Sequence, residues 1–383
     1  MDKHKFWNTQ PINNVTTNNL QLLNNHGIIN TINIDNVSKQ PYSLPDGFEW
    51  HTIDLNNDND LNDIYYFLME NYLEDCDNIF QFAYSKESIK WFFQCPDYFP
   101  ELFISVRLSS SKKLVATIFG LPCDIKVHDT ITKQVEINFL CILKKLRSKR
   151  LAPVLIKEIT RRAYLRNIYS ATYTASLELP NVLSTVKYYH RFINVQKLYD
   201  INFISKHNNI QTLEKICFID KPTLKLRLIN ESDIDTCLIK LNNKLKNYKL
   251  AHIFDKKTFK HYFMSRDNVV YTYVVENNNE ITDMISFFVV DNRVLNNKNY
   301  TNYKTGYLFY YFNESSNLTD LVNSCLYYAK YKNVDVFNTL NIFDTSSILK
   351  DCKFVNGDGS LNYYLFNYKC NQLQNNEIGI PVF

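Results

Sequence analysis

The sequence predicts an α/β (α+β) chain made of two copies of one unit, and three observations carry that prediction. Over residues 59–72, Leu61, Ile64, Tyr65, Leu68, Met69 and Tyr72 fall at i, i+3, i+4, i+7, i+8 and i+11, the spacing of an amphipathic helix. Over residues 136–153 the apolar run E-I-N-F-L-C-I-L passes into a turn carrying Lys144, Lys145, Arg147, Lys149 and Arg150, and a helical pattern follows in Leu155, Ile156, Ile159 and Ala163. A gapless shift of 170 positions then lays the first part of the chain on the second.

Taken in order, the helix of residues 59–72 is followed by a second at S-K-E-S-I-K-W-F-F (85–93) and by strand-like runs L-F-I-S-V (102–106) and L-V-A-T-I-F (114–119). The apolar stretch of residues 136–142 is the central strand. It empties into the basic turn, and Pro153 is expected at the first helical position, where proline is tolerated. Helix N-termini favour anions, so strand, turn and helix together predict a phosphate cradle.

The 170-residue shift pairs Ile64 with Ile234, Leu68 with Leu238, Lys86 with Lys256, Lys90 with Lys260 and Phe93 with Phe263. It lays 102–106 on 272–276, 114–119 on 284–289 and 137–140 on 307–310, with Leu155 and Ile159 on Cys325 and Ala329. In the second copy the basic turn is replaced by Y-Y-F-N-E-S-S-N-L-T-D-L. One half keeps the anion site and the other does not. The expected boundary is D-K-P-T (220–223), giving an N-terminal half of residues 1–220 and a C-terminal half of residues 221–383.

Composition narrows the class. Apolar residues make up 45% and aromatics 15% of the 383 residues, as in a globular protein rather than a disordered one. A net charge of +4 argues against a general nucleic-acid binder and leaves room for one local basic site. Nine cysteines without a C-x-x-C pair or a histidine at metal-ligand spacing suggest reduced, mostly buried thiols, a cytoplasmic setting and no metal. There is no basic-then-apolar leader and no apolar stretch of about 18 residues to span a membrane.

The loop R-S-K-R-L-A (147–152) resembles the Arg/Gln-x-x-Gly-x-Gly/Ala loop with which acetyltransferase-type folds hold the pyrophosphate of coenzyme A, with Arg150 standing where the first Gly usually does. The whole stretch E-I-N-F-L-C-I-L-K-K-L-R-S-K-R-L-A-P-V-L-I-K-E-I-T-R-R is similar to the signature of the glycylpeptide N-tetradecanoyltransferases, or N-myristoyltransferases. The resemblance continues in K-F-W-N-T-Q-P (5–11), Y-L-E-D-C-D-N-I-F-Q-F (72–82), Y-T-A-S (173–176), Y-Y-H-R (188–191), D-V-F-N-T-L (335–340) and G-D-G (357–359), in the right order along the chain.

The resemblance implies two tandem acetyltransferase-like (GNAT-type) halves with pseudo-twofold symmetry around a saddle-shaped mixed sheet, in a cytoplasmic monomer. It implies direct transfer of a myristoyl group from myristoyl-CoA to the N-terminal glycine amine of Gly-x-x-x-Ser/Thr polypeptides, with no metal and no acyl-enzyme. The acyl-CoA would be held by Lys5, Phe6 and Trp7, by Phe139, Leu140, Cys141 and Ile142, and by Arg147, Ser148, Lys149, Arg150, Leu151, Ala152 and Pro153. Backbone amides of Phe139 and Leu140, on a bulge, would stabilise the oxyanion. Asn138 and Thr174 would hold the amine, and the terminal carboxylate of Phe383 would take its proton.

For the peptide, the resemblance implies Tyr72, Leu73, Asp75, Asp77, Phe80, Tyr84, Thr174, Tyr188, His190, Asp358 and Gly359. Cys141 reads as a structural thiol rather than a nucleophile. Three departures bear on the peptide side and the tail: Leu308 in place of a common Ser, Ser176 in place of Gly, and Pro381 near the end. They keep two other readings open, a short-acyl N-acetyltransferase and a catalytically silent acyl-CoA or lipopeptide-binding protein.

Overall fold

Helices in this chain begin where a short polar side chain takes the first backbone N–H groups, which have no acceptor inside the helix. Asn57 accepts from Asn59 N and Asp60 N ahead of Asp58–Asn71. Ser85 accepts from Ser88 N ahead of Lys86–Phe93. A capping box of Asp255 and Thr258 starts Lys256–Phe263, and Asn317 accepts from Asp320 N ahead of Leu318–Tyr331. The structure, a computed structural model, describes residues 5–12, 26–72 and 79–382. Leu73, Asp75, Asp77 and Phe383, all expected in the site, lie outside the described residues.

The chain separates into two compact units, one of Met1–Tyr72, Asp97–Thr185 and Leu361–Gln374, the other of Leu73–Pro96, Val186–Ser360 and Asn375–Phe383. In the first, Phe48–Thr52, Phe103–Leu108, Leu114–Val127 and Thr130–Ile142 pair antiparallel in that order. Ala171–Ala175 then joins parallel to Thr130–Ile142, and residues 362–366 close the series antiparallel to it. A parallel pair needs a crossover, and the helix Leu151–Tyr164 supplies it. That helix buries Leu151, Leu155, Ile159 and Ala163 in one core with Val106, Ala116, Ile118 and Val135. Gly120 permits the close approach, since a Cβ there would lie 2.5 Å from Val135 Cγ1 and 3.0 Å from Ile159 Cδ1.

The second unit repeats the plan. Leu226–Leu228, Val270–Asn277, Glu280–Val294 and Asn302–Asn313 pair antiparallel, and Val336–Leu340 lies parallel to the last across the helix Leu318–Tyr331. Residues 188–192 close this series antiparallel to Val336–Leu340. Each unit therefore ends on a strand drawn from the other half of the sequence. The 170-residue shift finds the hairpins and crossovers because they are local; the exchanged strands have no local signature.

Both copies carry a bulge at the same place. Thr117 faces Cys141 and Phe119 faces Asn138, so Phe139 and Leu140 together oppose Ile118. Ile285 faces Tyr311 and Phe287 faces Leu308, so Phe309 and Tyr310 oppose Ser286. Two boundaries differ from expectation. The crossover helix starts at Leu151 rather than at Pro153, which sits in the first turn where its missing N–H costs no intrahelical bond. Pro100–Leu102 is a 3₁₀ turn, and the strand begins at Phe103. Among the described residues no helix is long and apolar enough to cross a membrane.

In the second copy a buried carboxylate occupies the turn before the crossover helix. Asp283, fully buried, accepts from the backbone N–H of Ser315 (3.3 Å) and Ser316 (3.0 Å), and from the hydroxyls of Ser315, Ser316 and Thr282. Burial pushes its pKa up, but these hydrogen bonds outweigh burial and hold the carboxyl below its ordinary value. Asp283→Asn is expected to destabilise the fold by about 1–3 kcal/mol, read by urea or thermal unfolding, because donors are left facing an amide. A depressed folded pKa contributes stability above the unfolded value of about 3.9 and loses it as pH falls through the folded value. The gap between wild type and Asp283→Asn should thus narrow in acid; a gap unchanged into that range would contradict the assignment.

Candidate active site

The helix Leu151–Tyr164 breaks the capping rule. Its N-cap is Arg150, with no side-chain cap hydrogen bond. Among described helices of eight or more residues, only Ile234–Leu245 shares this, and the 3₁₀ turn leading into that helix is itself capped by Asn230. Arg150 is left-handed, φ 60° and ψ 28°, the conformation for which glycine is the default. Arg150, expected from the resemblance where a loop glycine usually stands, thus has the backbone shape that glycine adopts most readily. Lys144, Lys145, Ser148, Lys149 and Arg150 are exposed around the helix start. Arg147 instead turns back: Nη2 donates to Asn71 O (2.6 Å) and Nε to Ile142 O (3.2 Å), tying the turn to the strand and to the end of Asp58–Asn71. The result is a positive helix end ringed by cations, suited to a polyanion.

One strand residue behind the turn begins the bulge. Phe139 is left-handed at φ 49°, rare for a bulky residue, and its carbonyl accepts from Thr117 Oγ1 (2.9 Å) in the buried interior. Its ring meets Tyr72 edge-on at 5.1 Å between centroids and lies 6.1 Å from Phe119. Leu140 is 38% exposed. Asn138, beside the bulge, has a buried Nδ2 with no hydrogen-bond partner among the described residues. Such a donor is costly without a partner and marks the spot as polar by design. Cys141 is buried, and burial pushes its thiol up to about 12, so it stays protonated and a poor nucleophile.

Lys5, Phe6 and Trp7, expected from the resemblance to touch the acyl-CoA, sit in the same unit. Phe6 packs edge-on to Trp7 (5.2 Å), Trp7 stacks on Tyr173 (5.8 Å, 7°), and Tyr173 stacks on Tyr364 (5.0 Å, 13°). Thr174 follows Tyr173 on its strand, opposite Tyr363. Lys5 is exposed. Ile142 and Leu151 belong to the helix core, Ala152 packs against it, and Pro153 is half-buried.

In the second unit, His190 is fixed by Asn338, whose Oδ1 accepts from Nδ1–H at 2.7 Å, leaving Nε2 as the acceptor. Burial lowers its pKa, so the ring is neutral at physiological pH. Its Nε2 faces Gly357, where a Cβ would lie 2.4 Å away. A Cβ on Gly359 would lie 3.3 Å from Tyr188, so the G-D-G strand runs against both side chains, with Asp358 exposed between them. Burial pushes the Tyr188 hydroxyl up to about 12. Tyr188 also lines a pocket with Leu308, Leu340, Phe343, Pro381 and Val382. The tail reaches that pocket through Ile378–Gly379, which pairs parallel with the strand at Leu250 and Ala251. Phe80 packs on Phe203 and Tyr303, and Tyr84 is buried against Phe92. Asn338 and Gly357 were not singled out from sequence, although both lie in the quoted D-V-F-N-T-L and G-D-G motifs.

Known proteins share the sequence and the fold of this chain. Residues 28–186 match the sequence model of the myristoyl-CoA:protein N-myristoyltransferase N-terminal domain, and residues 200–379 that of the C-terminal domain. Glycylpeptide N-tetradecanoyltransferase of Plasmodium falciparum is 42% identical over 98% of this chain and 93% of its own. Glycylpeptide N-tetradecanoyltransferase 2 of Danio rerio is 39% identical over 99% of this chain and 77% of its own. The crystal structure of Saccharomyces cerevisiae N-myristoyltransferase with bound myristoyl-CoA, 34% identical, superposes with a TM-score of 0.93 over 100% of both chains. Fold and sequence define an acyltransferase. The chain belongs to the myristoyl-CoA:protein N-myristoyltransferase family.

The left-handed Arg150 separates backbone from charge. Arg150→Gly removes a conformational cost on the order of 1 kcal/mol, so unfolding should shift to the same or higher temperature while affinity for coenzyme A falls. Arg150→Ala should lose affinity without that gain. Equal melting temperatures for the two variants would contradict the backbone argument.

Proposed function

We propose that the protein transfers a myristoyl group from myristoyl-CoA to the N-terminal glycine amine of polypeptides beginning Gly-x-x-x-Ser/Thr, acting in the cytoplasm as a monomer. The observation that carries this reading is the helix start at Arg150–Leu151: no side-chain cap, a ring of cations, and the bulge at Phe139 and Leu140 eight residues behind Ser148 at its nearest. The N-terminal half, residues 1–220, holds the donor; the C-terminal half, residues 221–383, with His190 beside it in the second compact unit, reads the peptide and ends in the base.

The pyrophosphate lies on the N–H groups at Ser148–Ala152, with Lys144, Lys149 and Arg150 supplying charge. The Trp7–Tyr173 stack supports the N-terminal segment against the donor. Burying a fourteen-carbon chain at about 0.8 kcal/mol per methylene would supply on the order of 10 kcal/mol before ordering costs. The bulge amides of Phe139 and Leu140 face the thioester oxygen as it gains charge.

The glycine amine, with a pKa of about 8, must lose a proton before it attacks. Asn138, whose buried Nδ2 has no partner among the described residues, and Thr174 orient it. The terminal carboxylate takes the proton. A carboxyl exposed to water has a pKa of about 3.5 and would be a weak base; burial raises it. Supporting this, Ile380 is buried at 2% exposure, and Pro381 and Val382 line the Tyr188 pocket rather than leaving the surface. The amine nitrogen bonds to the thioester carbon, the carbon–sulfur bond breaks, and the coenzyme leaves as its thiol. His190 and Asp358 read the Ser or Thr and basic residues further along, while Leu308 gives an apolar wall where a serine is common.

The test is mass spectrometry of a Gly-x-x-x-Ser peptide incubated with myristoyl-CoA and the protein. One myristoyl group should be added, and none to the same peptide with its glycine N-acetylated. The same assay on a chain extended beyond Phe383 should show far slower turnover at little-changed myristoyl-CoA affinity. Binding of myristoyl-CoA without any turnover would establish the silent binding protein instead, transfer from acetyl-CoA alone the short-acyl enzyme, and full turnover by the extended chain would remove the carboxylate from the mechanism.

A further inference from the structure

We propose that His26, His128 and Cys370 form a binding site for a thiophilic divalent cation, zinc, in the first compact unit and apart from the acyl-transfer residues. Three distant segments bring these side chains together. The strand Gly27–Ile28 pairs antiparallel with Tyr368–Lys369, Gly27 opposite Lys369, so the register carried one residue further sets His26 beside Cys370. His128 stands at the tight turn between Leu114–Val127 and Thr130–Ile142, left-handed at φ 53°. The rings of His26 and His128 stack face to face, 3.7 Å between centroids and 7° apart. One ligand atom from each of the three residues lies within 4.8 Å of the other two.

The donor set selects the ion. Two imidazole nitrogens and one sulfur are borderline-to-soft ligands that suit zinc and offer nothing to magnesium or calcium, which want oxygen. Zinc binds nitrogen at about 2.0–2.1 Å and sulfur at about 2.3 Å, so tetrahedral ligand atoms stand roughly 3.4–3.6 Å apart. From separations of up to 4.8 Å, the ligand atoms approach one another by at most about 1.4 Å as the side chains rotate. An imidazole binds a metal in its own ring plane, so the parallel rings must tilt open as the ion enters. The thiol proton leaves to solvent as the metal–sulfur bond forms, and no electron is transferred. Three protein ligands leave the fourth position to water.

The surrounding backbone is held in place for such a site. Asn367, fully buried, donates through Nδ2 to Asn30 O (2.8 Å) and Tyr169 O (2.7 Å), and its Oδ1 accepts from Asn30 N (2.9 Å). Cys370 is buried, whereas both histidines are half-buried, so an ion can reach the site from the histidine side. Occupancy would clamp the Gly27–Ile28 strand and the segment at Cys370 to the hairpin turn. That is a structural or inhibitory role within the unit, and no step of the proposed transfer passes through it.

Cobalt is the probe, because a tetrahedral cobalt–thiolate site has a visible spectrum. Titration of the full-length protein, reduced and freed of metal, should give a saturable thiolate charge-transfer band at one cobalt per chain, displaced by zinc. His26→Ala, His128→Ala and Cys370→Ser should each abolish the band, while Cys217→Ser, at a buried thiol outside any such group of ligands, should keep it. Zinc should raise the melting temperature of wild type and of Cys217→Ser but not of Cys370→Ser. Absence of the band in folded wild type, or its survival in both Cys370→Ser and His128→Ala, would overturn the proposal.

Discussion

The N–H groups at the start of a helix need acceptors, and the two crossover helices of this chain meet that need in opposite ways. Leu318–Tyr331 is closed by its own sequence: Asn317 caps it, and the buried carboxylate of Asp283 takes the two N–H groups of the turn before it. Leu151–Tyr164 starts from a left-handed arginine with no side-chain cap and is flanked by lysines. The same local architecture is closed by an internal carboxylate in one copy and is left uncapped among exposed cations in the other.

The bulges follow the same division. Phe309 and Tyr310 are buried; Phe309 lies against Trp91 and Phe263, and Tyr310 Oη is 2.6 Å from His252 Nδ1. Phe139 is buried too, but Leu140 beside it is 38% exposed and Asn138 keeps a polar atom unpartnered among the described residues. A bulge filled with aromatic rings stabilises the second unit. The first bulge leaves apolar surface at Leu140 and hydrogen-bonding capacity at Asn138 open among the described residues, and it carries the strained left-handed Phe139 backbone. In physical terms, duplication supplied two equivalent positions, and packing closed one of them.

Much of this was legible in the sequence because its signals are local. Asn57 and Ser85 mark helix starts that the periodicity also marks, and the basic turn after an apolar strand reads directly as an anion site. That Arg150 is left-handed was not read from the sequence, which gave only its place where a loop glycine usually stands. Other features depend on pairing that no local pattern encodes. The bulge positions follow from register across a hairpin, and residues 362–366 and 188–192 enter their series from the opposite half of the chain. Pro153 misled by two residues, since its ring is tolerated throughout the first turn and not only at its first position. Asn338 holds His190 in a single tautomer from a neighbouring strand, a second-residue effect that side-chain identity alone does not announce. His26, His128 and Cys370 are scattered over the chain, so spacing could not have joined them.

The central claim is that the helix start at Arg150 binds the coenzyme while its counterpart at Ser315 and Ser316 is satisfied from within. Hydrogen exchange, resolved to single amides, measures both in one experiment on addition of coenzyme A. The account predicts slowed exchange at Arg150, Leu151 and Ala152 and no change at Ser315, Ser316 and Asn317. Unchanged exchange at the first set under saturating coenzyme, or equal slowing at both, would contradict it.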